Sequence, residues 1–129
     1  MPVGERALAA ARAAVGVRFR VHGRDSAGLD CLGLAGLAMR AEGYEGEVPS
    51  GYALRGGDAA RVRAAIEAAG FVAGDSAGDL LLMRSGPGQL HFAISSGEGI
   101  IHADAMLRRV VERPDVPWPV IGRWRLRER

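Results

Sequence analysis

Cys31 is the single cysteine of the chain. It stands in Gly28-Leu29-Asp30-Cys31-Leu32-Gly33-Leu34, where a glycine-bearing loop runs into an apolar stretch of helical character. Two histidines follow in the second half, His91 in Gln89-Leu90-His91-Phe92-Ala93-Ile94 and His102 in Ile100-Ile101-His102-Ala103-Asp104. A thiol at the mouth of a helix, with a base and an orienting group on strands, is the set that thiol-based acyl transfer needs. N–H groups and the helix dipole in a first turn favour the thiolate, and neighbouring N–H groups can receive an oxyanion. The competing reading makes Cys31 a small apolar residue on a core helix, a common fate of a lone cysteine.

The histidines are informative through their register. Ser95-Ser96-Gly97-Glu98-Gly99-Ile100 reads as a tight hairpin. With Ser95 paired to Ile100, His91 lies opposite Asp104 and Ala93 opposite His102. Strand side chains alternate, so these four share one face while Phe92, Ile94, Ile101 and Ala103 fill the other, the core face. His91 and His102 are then diagonal neighbours, roughly 7–8 Å apart at Cα and within side-chain reach. A slip of one residue would send them to opposite faces. Asp104, directly across from His91, competes with His102 as the orienting group. Cys31, His91 and His102 are also a Cys-His-His zinc set, although tight C-x-x-C spacing and a fourth ligand are missing. His22, in the loop before Cys31, reads as a rim residue. No serine is read as the nucleophile.

The elements that must hold these residues follow from pattern. Residues 5–15 have the alanine content of a short helix stopped by Gly16. Residues 17–29 show no clear period and read as loop. The spacing of Leu34, Leu37 and Ala38 predicts a buried helix over 30–41, with Asp30 as N-cap and Cys31 in its first turn. Residues 43–57 carry several loop formers and two tyrosines, a length typical of lids. Asp58 caps a further helix that ends at Gly70. Runs over 78–84, 90–95, 99–103, 107–111 and 120–126 read as strands, the last after Pro117-Trp118-Pro119. Helices first and a meander of strands afterwards predict an α+β fold with an antiparallel sheet of about five strands.

Composition bounds the rest. With 129 residues, 48% hydrophobic and 25% charged, residues 1–129 read as a single domain that folds without disulfide or metal. Net charge is +2 and the pI about 9.3, but no basic, aromatic-interleaved stripe supports nucleic-acid binding. No apolar run approaches the ~20 residues of a membrane span. Glu5, Arg6 and Arg12 interrupt any signal-peptide core, so synthesis in the cytoplasm is expected.

Taken together, Phe19-Arg20-Val21-His22-Gly23-Arg24…Gly28-Leu29-Asp30-Cys31-Leu32-Gly33-Leu34 resembles the nucleophile region of NlpC-type cell-wall cysteine peptidases. Gly78-Asp79-Leu80-Leu81-Leu82, followed by the His91 and His102 runs, resembles that family's histidine strands. Order and spacing agree over roughly residues 5–126, and His22-Gly23-Arg24 before the cysteine looks most like peptidases of phage-tail and gene-transfer-agent modules.

The resemblance implies a papain-like α+β fold with the nucleophile helix packed on an antiparallel sheet. It implies a cysteine endopeptidase, without cofactor or metal, cleaving amide bonds in peptidoglycan stem peptides, often between D-glutamate and diaminopimelate. Carried over by position, Cys31 is the nucleophile, His91 the general base and His102 the residue that orients it. Many members have tyrosine where Phe19 stands and serine where Leu32 stands; both replacements remove polar groups beside the substrate. Asp30 is retained and could hold a substrate amine, a role its N-cap duty would equally explain. Arg24 could pair with a stem-peptide carboxylate or simply be solvated. Other phage-like tail proteins are expected partners, with the protein carried on a tail to the periplasm or cell wall. The contrasting expectation is a tail-tip module that keeps the fold and binds without turnover.

Overall fold

The computed structural model describes residues 2–47 and 58–127. Helix α1 spans Glu5–Ala13, followed by a two-residue ribbon of β1 (Arg24–Asp25) and β2 (Gly28–Leu29), then α2 (Cys31–Ala41) and α3 (Ala59–Ala68). Six strands follow: β3 (Phe71–Ala73), β4 (Leu80–Gly86), β5 (Gln89–Ser95), β6 (Ile100–Asp104), β7 (Arg109–Arg113) and β8 (Val120–Leu126). They form one sheet of order β3-β8-β4-β5-β6-β7 with every neighbour antiparallel. The expected α+β class holds, and the sheet has one strand more than expected. Strand β3 escaped notice because three residues are too few to show a period, and its partner Leu126 lies far along the chain. Residues 17–29, expected as loop, include the β1–β2 ribbon. Most of the expected lid segment, residues 48–57, lies outside the described residues.

Helix α2 is apolar on nearly all sides, with Leu32, Leu34, Ala35, Ala38 and Met39 buried. It is therefore central, packed between α1 and strands β5 and β6. Asp30 caps it as the sequence predicts, its side chain accepting from the Gly33 N–H at 2.8 Å. Gly33 also lets the loop behind it approach: a Cβ there would collide with the Gly23 carbonyl oxygen. Gly33→Ala must push that loop off α2, and we expect it to destabilise the fold by about 3 kcal/mol, measured by urea unfolding.

Helix α1 begins at Gly4, which offers no side-chain cap. Glu42, just past the end of α2, supplies one from a distance. Its Oε1 accepts from the N–H groups of Gly4, Arg6 and Ala7 at 3.0, 2.8 and 3.1 Å, which satisfies three donors a helix start leaves open. The two helices are thereby locked end to end.

The β5–β6 hairpin has the predicted register, Ser95 opposite Ile100 and Ile94 opposite Ile101. Phe92, Ile94, Ile101 and Ala103 enter the main core with α2, while Ala93 and Ile100 join Leu81 and Met83 on the other face, against Trp118.

Candidate active site

The hairpin ladder stops at Ile94↔Ile101 and does not continue toward His91 and Asp104. Past that point β5 and β6 part, and the first turn of α2 occupies the opening. The Phe92 N–H lies close enough to the Cys31 thiol to favour its ionised form. This opening solves a geometric problem: α2 packs on the core face, the histidines belong to the opposite face, and only a gap lets them meet. Cys31, His91 and His102 then line a single cavity of about 830 Å³.

Within it, His91 Nε2 and His102 Nδ1 lie 3.0 Å apart in a hydrogen bond. The two nitrogens point at each other rather than converging on a common centre, the geometry of hydrogen-bonded imidazoles and not of two ligands on one zinc ion. His102 is buried, 1% exposed. Its Nε2 makes no hydrogen bond and faces Asp104 Oδ2 at 3.8 Å. That carboxylate favours the tautomer with the proton on Nε2, leaving His102 Nδ1 as an acceptor. His91 must then donate from Nε2, which frees His91 Nδ1 to take a proton. Asp104, His102 and His91 thus lie in a row, the carboxylate facing His102 Nε2 and His102 Nδ1 meeting His91 Nε2. Asp104→Asn would present an N–H toward Nε2 and favour the other tautomer. We expect kcat/KM to fall on the order of 10- to 100-fold, with the ¹⁵N shifts of His102 reporting the exchange of tautomer.

Trp118 packs edge-on against both rings, with centroids 5.4 Å from His91 and 5.5 Å from His102. In the sequence it stands only as the middle residue of the Pro117-Trp118-Pro119 stretch before the last strand. A tryptophan between two prolines was the available signal that this connection holds something in place.

Electrostatics differ from the thiolate expected of a helix start. Burial pushes the Cys31 thiol up to about 11. The N–H groups of Phe92 and Leu32 and the charge of Arg24 pull the other way without overcoming it, and Asp30 adds to the rise. Burial likewise drives His91 down to about 4, helped by His102 and opposed by Asp104. Burial lowers His102 as well, again against Asp104. In the free protein burial thus favours the neutral forms of Cys31, His91 and His102.

Phe19, Asp30 and Leu32 line the cavity, together with His22, while Arg24 does not. Arg24 Nη1 is bound to Asp30 Oδ1 at 2.7 Å and to the Gly23 carbonyl at 2.9 Å. Asp30 Oδ1 also takes the Gly33 N–H, and Oδ2 takes the His22 N–H at 2.8 Å. The carboxylate is thus engaged on both oxygens in holding the loop to α2.

Gly74-Asp75-Ser76-Ala77-Gly78 has the glycine–serine–glycine spacing of a hydrolase elbow. It connects two strands, not a strand and a helix. Ser76 Oγ bonds Asp75 at 2.9 Å, and the residue does not line the cavity.

No protein-family profile matches the sequence, and no curated protein matches it. Solved structures do. NlpC1 from Trichomonas vaginalis superposes with a TM-score of 0.68 at 19% identity, over 95% of this chain and 43% of that one. An NlpC/p60 family protein from Bacillus cereus gives 0.64 at 21% identity, over 98% of this chain and 40% of that one. The NlpC/p60 domain of the peptidoglycan hydrolase SagA gives 0.60 at 27% identity, over 87% of this chain and 89% of that domain. The chain has the NlpC/p60 fold; it spans less than half the length of two of these proteins and most of the third.

Proposed function

We propose that the protein is a cysteine peptidase that hydrolyses amide bonds in peptidoglycan stem peptides. The observation that carries this reading is the joining of Cys31 to the hydrogen-bonded His91–His102 pair in one cavity. In this reading Cys31 is the nucleophile, His91 the general base and His102 its orienter. His91 Nδ1 takes the thiol proton as sulfur attacks the amide carbonyl, and returns it to the leaving amine. Water then releases the acyl group from Cys31 with His91 again as base. The N–H groups of Gly33 and Leu34 are already bonded to Asp30 and that of Leu32 lies at the thiol, so the Cys31 N–H is the first-turn donor left for the oxyanion. Phe19 and Leu32 give the substrate an apolar wall, and Asp30, already engaged by Arg24, shapes the loop beside it.

The likeness to the SagA domain supports a cell-wall substrate. Delivery on a phage-like tail to the cell wall, with tail proteins as partners, rests on the resemblance of residues 19–34 to tail-module peptidases. The test is digestion of purified peptidoglycan, with soluble products identified by mass spectrometry. Release of defined stem-peptide fragments is the expected result and names the bond. Walls of several chemistries left intact would sink the reading.

A further inference from the structure

A second hollow, about 730 Å³, opens beside the thiol cavity and shares Phe19, Ala105 and Leu107 with it. Arg18, Arg108 and Arg109 line it. All three are exposed, and none forms an ion pair with a described carboxylate. By contrast, the charged groups around the thiol are occupied: Asp30 holds Arg24, and Arg113 holds Asp115 at 3.0 and 3.2 Å.

Two features of this hollow work against the stability of the free protein. Arg18 and Arg109 face each other across an isolated antiparallel bridge, where opposed side chains are close and like charges repel. Arg108 closes the β6–β7 turn at φ 61, in the left-handed region that a side chain adopts at a cost. The turn is built by Asp104, whose Oδ1 accepts from the N–H groups of Met106 and Leu107 at 2.8 and 2.9 Å. Glycine at 108 would close that turn without strain. Arginine instead adds strain and a third positive charge to a pair that already repels. An anion seated among the three would relieve the repulsion, and backbone outliers of this kind cluster at ligand sites.

We propose that this arginine-lined hollow binds carboxylate groups of the substrate, anchoring an acidic peptide so that its scissile amide lies over Cys31. The guanidinium fork matches a carboxylate with two parallel hydrogen bonds. That the carboxylates belong to a stem peptide rests on the proposed function; the anion site itself does not.

The test uses ¹⁵N-labelled Cys31→Ala protein titrated with glutarate and, separately, with neutral glutaramide. Glutarate is expected to shift the amides of residues 16–19 and 105–109, and glutaramide to leave them in place. Arg108→Gly is expected to weaken glutarate binding about tenfold or more while its Tm equals or exceeds that of the parent. Equal response to both probes, no response to glutarate, or an undiminished response in Arg108→Gly overturns the proposal. Neither probe is a wall peptide, so these outcomes do not depend on whether peptidoglycan is cleaved. In the active protein, Arg108→Gly is expected to raise KM for a stem peptide about tenfold, and much less once the peptide's carboxylates are amidated. Equal losses on both peptides count against the site.

Discussion

Cys31→Ala is expected to reduce stem-peptide hydrolysis by at least about 10⁴-fold, and His91→Ala by about 10³- to 10⁴-fold. In the proposed mechanism the first removes the thiol that forms the acyl-enzyme; the second removes the group that takes its proton. The double variant should be little worse than Cys31→Ala alone, because residues that act as one unit lose their joint effect once. Cys31 is only partly exposed, and its replacement removes one sulfur from the end of α2, so the thermal transition should move little. Release of soluble fragments, followed by chromatography of digests, measures the loss. Unchanged turnover in Cys31→Ala would eliminate the thiol mechanism, and unchanged biological action of the variant would favour the tail-tip binding module.

The second large effect is in pH. A thiol held at about 11 is ionised to about one part in 10⁴ at pH 7. Alkylation of Cys31 by iodoacetamide should therefore rise about tenfold per pH unit from pH 6 to 10. A rate already at its plateau at neutral pH would mean that a thiolate–imidazolium pair forms in the free protein. The complementary sign follows for His91. As a base it must be neutral, and its proton affinity is lowered to about 4, so activity should persist as pH falls through 6.5 and fail only near 4. An acid limb at 6.5 would show that substrate or solvent restores an ordinary imidazole. Together the two profiles place proton transfer within the attack on the amide, not before it.

Several features were legible in the sequence because their causes are local. Asp30 precedes an apolar helical run, so its role as N-cap and the place of Cys31 in the first turn follow from a few neighbouring residues. The hairpin register follows from the turn Ser96–Gly99 and the two-residue period of the flanking strands, and it put both histidines on one face. Features set by distant partners were not legible. Strand β3 exists because Leu126 and its neighbours pair with it. Glu42 caps a helix that begins 38 residues earlier. The order of Asp104, His102 and His91 depends on side-chain directions that a register alone leaves open.

The sequence by itself determined which residues are candidates for the chemistry and which strand face holds the two histidines, since helix caps, turns and alternation are fixed by near neighbours. The tertiary structure decided that they meet. The parting of β5 from β6 beyond Ile94 admits the start of α2 and joins groups from opposite faces of a sheet. It also decided the charge state. A helix start favours a thiolate, but enclosure by α2, the sheet and the cavity wall removes the water that an ion needs, and burial raises the thiol against the pull of the Phe92 and Leu32 N–H groups.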